Sequence, residues 1–299
     1  MNLGNFKSGF VAIVGRPNVG KSTLMNQILK QKIAIMSEKP HTTRNRITGV
    51  HTTSSMQAIF LDTPGIHKPK NKLGEYMVDT ALNTLQGVDV VVYVIDATMK
   101  LGAGEEFIMA QLKKSGTKTL LAINKTDLVT REALLPIIAL YSQKMEFTGV
   151  VPLSAKNGDN VVGLLEEIEN ILPEGPKYYP EEMVTDQPER LIVAEMIREK
   201  VLMATREEVP HSVAVQTDLI KERSEQMIYV AATIFVERKS QKGIIIGKNG
   251  ANLKEIGRLA RQDIQVLLGS KIYLELWVKV KEQWRRSEMD IKNFGFTRD

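Results

Sequence analysis

Apolar residues in the first half of the chain gather into short, β-branched runs. These are GFVAIVG (9–15), MQAIFLD (56–62), DVVVYVID (89–96), KTLLAIN (118–124) and GVVPLSA (149–155). Each has strand length and is apolar at nearly every position, the pattern of a strand covered on both faces. Between them lie stretches with helical spacing, such as 21–29 and 104–114. Strand and helix alternating in this order predict an α/β domain, a mostly parallel sheet with helices on both faces. Binding crevices of such sheets lie at the carboxyl ends of the strands.

The pattern breaks at LPEGPKYYP (172–180), where three prolines and a glycine fall in nine positions. That composition reads as the start of a linker. It predicts a first domain over 1–172, a linker over 173–188 and a second domain over 189–299. In the second domain the spacing predicts a helix at about 189–205 and alternating strands at about 212–222 and 226–238. A glycine-rich turn, a helix at about 251–268 and a last strand at 271–280 follow, giving a smaller α+β unit with an antiparallel pair.

A length of 299 residues suffices for two such domains. No apolar stretch has the length of a membrane span, and the opening MNLGNFKSGF carries no signal-peptide pattern. The chain has no cysteine, which excludes disulfides and thiolate metal sites, and its four histidines show no ligand spacing. A cytoplasmic protein is the expectation. Net charge is +5, unevenly spread. Residues 151–200 hold five basic and eleven acidic residues, whereas 238–286 hold twelve basic and four acidic. The asymmetry suggests a polyanion partner for the second domain, a solvated basic helix face being the other reading.

Gly15-Arg16-Pro17-Asn18-Val19-Gly20-Lys21-Ser22 lies between a predicted strand and a predicted helix. Glycines there let backbone N–H groups converge on phosphate oxygens at a helix N-terminus, where the dipole also favours anions. Lys21 would reach the β- and γ-phosphates and Ser22 would offer its hydroxyl to Mg²⁺. Asp62-Thr63-Pro64-Gly65 closes the next strand. Asp62 can hold Mg²⁺ through water, and Gly65 can bring its N–H to the γ-phosphate. Asn124-Lys125-Thr126-Asp127 and Ser154-Ala155-Lys156 end two further strands. The Asp127 carboxylate can accept from the ring N–H and amine of guanine, donors that adenine lacks, and the Ala155 N–H can meet the guanine carbonyl.

These elements in this order resemble the translation-factor-type GTPases. The resemblance implies GTP and Mg²⁺ as ligands, GTP hydrolysis to GDP and phosphate, and a switch threonine within Pro40-His41-Thr42-Thr43-Arg44. That threonine is Thr42 or Thr43, with Thr43 the choice; Mg²⁺ would then be held by Ser22, Thr43 and Asp62. Ras-like enzymes place a water-orienting glutamine directly after the glycine of the aspartate motif; here Ile66 stands there. Several GTPases with an apolar residue at this position coordinate K⁺ through an asparagine that corresponds to Asn18. The resemblance thus implies Lys21, Thr43, Asp62, Gly65 and Asn18 as the catalytic set. His67 is read as a solvent-facing switch residue, its use as a base being the other possibility.

The stretch Lys242–Leu253 holds a second signature, Ile246-Gly247-Lys248-Asn249-Gly250, ahead of a predicted helix. It resembles the loop of KH domains, in which two glycines admit a sugar–phosphate chain and about four nucleotides are clamped. Ile244, Ile246 and Leu253 are core or groove wall, with core expected for Ile244. Trp277 and Trp284 either stack on bases or divide into one buried and one interfacial ring. A phosphate-loop GTPase followed by a KH domain, with KPHTTRNRITGVH (39–51) and LELWVKVKEQWRR (274–286), is similar to the bacterial Era-type GTPases. That resemblance implies a factor that acts in small (30S) ribosomal subunit assembly and binds near the 3′ end of 16S rRNA; a monomer is the expectation for its oligomeric state. The resemblance also implies peripheral association with the inner face of the plasma membrane. The alternative function is a constitutive rRNA clamp whose G domain senses nucleotide slowly on behalf of a membrane or protein partner.

Overall fold

The computed structural model describes residues 6–39, 41–224 and 226–296. It divides into two units. The first comprises Met1–Ala34, Thr43–Pro69 and Gly74–Asp186, and the second Ile35–Thr42, Lys70–Leu73 and Gln187–Asp299.

In the first unit the apolar runs become strands β1 (Lys7–Val14), β3 (Met56–Asp62), β4 (Val90–Asp96), β5 (Lys118–Asn124) and β6 (Gly149–Pro152). A further strand, β2 (Ile47–Thr52), was not visible in the pattern, because Gly49 and His51 interrupt its apolar run. Among the described residues the sheet order is β2-β3-β1-β4-β5-β6. Only β2 runs antiparallel to its neighbour. Helices α1 (Lys21–Leu29), α2 (Lys72–Asn83), α3 (Ala103–Ser115), α4 (Arg131–Lys144) and α5 (Val161–Ile171) connect the strands.

Side chains alternate across β1, so its two faces feed two cores. Val11 and Ile13 pack with Leu24 and Met25 of α1 and with Leu164 and Ile168 of α5. Ala12 and Val14 pack with Ala81 of α2, Ile108 and Leu112 of α3, and Tyr141 of α4. Full burial of each such aliphatic side chain contributes about 1.5–3 kcal/mol. The sheet is thereby a rigid floor, and the loops at its carboxyl edge inherit fixed positions.

Residues 173–186, given to a linker by their composition, are tied to the first unit. Ser8 N donates to Pro173 O at 3.0 Å and Val50 N to Val184 O at 2.7 Å. The buried Gln57 amide accepts from Tyr178 N at 2.6 Å and Tyr179 N at 3.0 Å, and donates to Tyr179 O at 2.9 Å. Proline-rich sequence removes donors but leaves carbonyls, and here these carbonyls take strand-edge amides.

The second unit contains α6 (Glu189–Ala204), α7 (Val209–Ser212), β7 (Ala214–Ser224), β8 (Met227–Val236), α8 (Lys239–Ile246), α9 (Ala251–Leu268), β9 (Lys271–Val280) and α10 (Glu288–Asn293). Its sheet runs β7-β8-β9, with β7 antiparallel and β9 parallel to β8. Val193, Ile197, Val230, Ile234, Ile256 and Ile264 lie in its core. Where the sequence predicts a glycine-rich turn ahead of the helix at about 251, the chain is helical over Lys239–Ile246. The Gln241 side chain nucleates that helix by accepting from Glu237 N and Arg238 N, both at 2.9 Å. The helical period then overturns the expectation for Ile244: Ile245 enters the core, and Ile244, one step round the helix, is 51% exposed. Ile246 and Leu253 pack partly against the core.

Candidate functional site

Strand β1 ends at Val14, and Gly15 to Gly20 turn the chain into α1. Gly20 has φ +99°, and a Cβ there would lie 2.2 Å from Asn124 Nδ2, so only glycine fits. Lys21 Nζ donates to Arg16 O at 2.9 Å across this loop. The Lys21 side chain is buried, and burial pushes its ammonium down to about 8, with the Asp62 charge opposing. Arg16 turns aside to Glu105 at 3.0 Å, Val19 is buried, and Asn18 is exposed in a left-handed conformation.

The second side of the pocket is the end of β3. Ser22 Oγ donates to Asp62 Oδ2 at 2.6 Å and lies 2.8 Å from Thr43 Oγ1. The Thr42 hydroxyl instead donates to Lys39 O at 2.6 Å. Pro40, the first residue of the switch stretch, lies outside the described residues. Asp62 is 0% exposed and its Oδ1 is buried without a hydrogen-bond partner. Burial pushes its carboxyl up to about 6, against the pull of Lys21, Ser22 and Thr43. Two hydroxyls beside a carboxylate with an oxygen to spare form a hard oxygen donor set of the kind Mg²⁺ takes.

Thr63 Oγ1 donates to Ile13 O at 2.8 Å and Pro64 is buried, which fixes the turn that follows. Gly65 lies so close to the phosphate loop that a Cβ would sit 2.6 Å from Pro17 N. Ile66 N donates to Gly15 O at 3.1 Å, while the Ile66 side chain, 3% exposed, points into the core shared with Val14 and Ala81. His67 is not solvent-facing. It is half-buried, its Nδ1 is 2.8 Å from Gly65 O, and burial holds its pKa below the ordinary value. A carbonyl only accepts, so Nδ1 carries a proton.

The third wall comes from β5 and β6. Asn124 Nδ2 donates to Val19 O at 2.7 Å and its Oδ1 accepts from Ala155 N at 2.9 Å. The Ala155 amide, read in the sequence as a partner for the guanine carbonyl, is therefore engaged with Asn124. Lys125 has φ +65° and its ammonium pairs with Asp96 Oδ2 at 2.5 Å. Thr126 N donates to Leu153 O at 3.3 Å. Asp127 is exposed, with Oδ1 accepting from the buried Ser154 hydroxyl at 2.6 Å; Lys156 is exposed beside it. Asp96 was missed in the sequence, although an aspartate closing an apolar strand is the same signal that marks Asp62.

In the second unit, Gly247 (φ +72°), Asn249 (φ +52°) and Gly250 (φ +76°) carry the chain from α8 into α9. A Cβ on Gly247 would meet Asn252 Cβ at 2.7 Å, and one on Gly250 would meet nothing within 4 Å. Lys248 and Asn249 are exposed at the tip, with Ile246 partly buried behind them. Asn252 Nδ2 donates to Ile244 O at 3.0 Å and locks the base of the loop. Two buried charges on α6 were also missed. Arg198 donates to Thr42 O, and Glu199 accepts from Met36 N at 2.8 Å. Both side chains thus hold backbone of the 35–42 segment, which belongs to this unit.

Comparison with known proteins agrees with both halves. Residues 10–125 match the family described as 50S ribosome-binding GTPase, and residues 208–285 match the KH domain. A GTPase Era from Alkaliphilus metalliredigens is 54% identical over 293 residues, 98% of this chain and 99% of that protein. Two crystal structures are each 44% identical to this chain: a point variant of Aquifex aeolicus Era bound to GDP and AlF4⁻, and an Era in complex with MgGDPNP and nucleotides 1506–1542 of 16S ribosomal RNA. Each match has a TM-score of 0.95 and covers 98% of this chain and all of the other. With its glycine loop, aspartate turn and guanine-type motif joined to a KH loop, and with more than half its residues shared over nearly the full length, the chain belongs to the Era family of GTPases.

Proposed function

We propose that this chain is a GTP-hydrolysing switch that grips 16S rRNA through its KH loop during small-subunit assembly. The observation that carries the reading is the Ser22–Thr43–Asp62 cluster with its unpaired, buried Asp62 oxygen. Mg²⁺ held by Ser22, Thr43 and Asp62 would neutralise charge between the β- and γ-phosphates. Lys21 binds those phosphates, the amides of 15–22 cradle them, and the Gly65 N–H meets the γ-phosphate. Asp127 reads guanine: once the base covers this exposed carboxylate, adenine would leave it without donors, at about 1–3 kcal/mol or more. Lys248 and Asn249, with Gly247 and Gly250, hold the RNA backbone, and Ile246 forms the groove wall.

The RNA assignment follows the full-length relative that holds a 16S fragment. The broader GTPase family matched over 10–125 names the large subunit, but that match omits the KH domain, where RNA recognition resides. The measurement that tests the switch is RNA affinity with MgGDPNP against MgGDP. Tighter RNA binding in one state is expected, and equal affinities would end the coupling.

One observation favours the second reading, a constitutive clamp with a slow G domain. Ile66 is packed in the core, so its side chain orients no water. In the switch reading, Asn18 would hold a K⁺ ion that could supply the missing positive charge. Single-turnover hydrolysis that is equal in Na⁺ and K⁺ removes that role, and a turnover rate indifferent to RNA selects the clamp. Cytoplasmic location follows from the sequence composition and peripheral membrane attachment from the family resemblance; vesicle flotation tests the attachment, and sedimentation tests the expected monomer. Among the described residues no helix is long and apolar enough to cross a membrane.

A further inference from the structure

The three-stranded sheet of the second unit has one face that the KH loop does not use. Its inner face, with Val230, Ile234, Ile272 and Val278, is buried in the core. On the outer face β8 and β9 pair Tyr229 with Tyr273, Ala231 with Glu275 and Thr233 with Trp277. Tyr273 is 49% and Trp277 56% exposed. Two large aromatic rings left open on one edge strand mark an interaction surface.

The chemistry around the rings narrows the partner. Tyr229 and Tyr273 stack at 5.9 Å with 25° between their planes, and the Arg223 guanidinium lies 5.2 Å from the Tyr273 ring centre. Lys221 stands opposite Tyr229 in register, and Lys271 and Lys279 share the face by alternation along β9. Two carboxylates among the described residues of the face already serve its own hydroxyls. Glu275 accepts from Tyr229 at 2.5 Å and Asp218 from Thr233 at 2.7 Å. At the other end the surface is closed by Phe235 packing on Phe294 at 4.8 Å, so the open part is the aromatic part. Flat rings edged by four cations suit unpaired bases on a phosphate chain.

We propose that this outer sheet face is a second contact for single-stranded RNA, on which bases stack on Tyr273 and Trp277 while Lys221, Arg223, Lys271 and Lys279 line the phosphates. The inference rests on the reading of the second unit as an RNA clamp and extends it. The glycine loop holds about four nucleotides, so a longer strand has nucleotides to spare for a second surface.

The chain has two tryptophans, and Trp284 is fully buried, so quenching by a ligand reports on Trp277. The test titrates the full chain with a four-nucleotide RNA and with a single strand of ~20 nucleotides, sized to outrun the loop. It is repeated with the Tyr273→Ala/Trp277→Ala variant. The expected result is Trp277 quenching by the longer RNA only. The variant should lose affinity for that RNA by about fivefold or more per stacked base, while its affinity for the short RNA and its unfolding midpoint stay unchanged. Absence of quenching with unchanged long-RNA affinity overturns the proposal. So does an equal loss for both RNAs, or a variant that binds RNA normally yet no longer captures a ribosomal protein. If neither RNA binds the unmodified chain, the clamp reading itself fails. Binding of the short RNA without any effect of length defeats the second contact alone.

Discussion

The contact between Gly65 and the phosphate loop can be tested by one methyl group. In Gly65→Ala the new Cβ would lie 2.6 Å from Pro17 N, 2.7 Å from Pro17 Cα and 2.8 Å from Pro17 Cγ. Two of these atoms are backbone, so no rotamer relieves the clash. Ordinary contact begins near ~3.5 Å, and the turn and the loop must therefore separate by nearly an ångström. The Ile66 N–H to Gly15 O bond, now 3.1 Å, would open with them. Overpacking costs about 1–3 kcal/mol and the lost hydrogen bond about 1. Together, about 2–4 kcal/mol lowers the unfolding midpoint of a domain this size by roughly 5–10 °C. The loop that opens is the one proposed to cradle phosphates, so nucleotide affinity should fall by about tenfold or more. Thermal unfolding of the nucleotide-free chain and titration with fluorescent GTP and GDP analogues measure both effects. A larger loss for GTP than for GDP would locate the damage at the γ-phosphate. An unchanged midpoint together with unchanged affinities would show that the loop absorbs the methyl group, and the steric argument would be wrong.

Other consequences are open to measurement. Lys21 has a folded pKa of about 8 against an ordinary 10.5; its share of stability is therefore lost as pH falls through 8 and regained toward 10.5. From pH 7.5 to 9.5 the nucleotide-free chain should gain about 2 kcal/mol from this group. Urea midpoints should show the gain, and Lys21→Met should lack it. Asp127→Asn exchanges an acceptor for a donor, so competition binding should show guanine affinity down by tenfold or more and xanthine admitted. Lys248→Asp/Asn249→Asp places two anions at an exposed tip. RNA affinity should drop at least tenfold by electrostatic repulsion, with GTP affinity and the unfolding midpoint unchanged. Trp284→Ala removes a buried ring that donates to Ser212 O at 2.9 Å and packs on Phe294 and Phe296. It should cost about 3–5 kcal/mol in calorimetry.

The strands that carry the nucleotide site were legible because they are mostly buried and so largely apolar, with the chemistry in the residues that follow each run. Asp62, Asn124 and Ser154 stand out against Leu61, Ile123 and Leu153 for that reason. Strand β2 was illegible because it is an edge: Gly49 is there to clear Leu29, whose Cδ1 a Cβ would meet at 2.6 Å. The roles of Gln57, Arg198 and Glu199 could not be read locally, since each serves backbone far away in sequence. Helix α8 was hidden by Gly243 and three successive isoleucines, poor helix formers, and depends on the Gln241 cap. His67 stands beside the exposed Lys68 and Lys70, yet the Gly65 carbonyl holds its ring inward, a contact that no local pattern signals.

The pocket carries a stability cost that argues for its ligand. Lys21 and Asp62 are each pushed by burial toward their neutral forms, and each is the other's chief opposing charge. An apolar pair at these positions would fold at least as well. In the proposed function the same two groups would become favourable when opposite charges arrive from outside, phosphate oxygens beside Lys21 and a divalent cation beside Asp62. Binding then returns what burial took: a ligand at a hundred times its Kd adds about 2.7 kcal/mol. Ile66 follows the opposite logic. It stabilises the floor beneath the site by packing with Val14 and Ala81, and in doing so it gives up the polar side chain that Ras-like enzymes use to orient water. Hydrolysis in this chain must therefore draw its positive charge and its water geometry from groups outside that position.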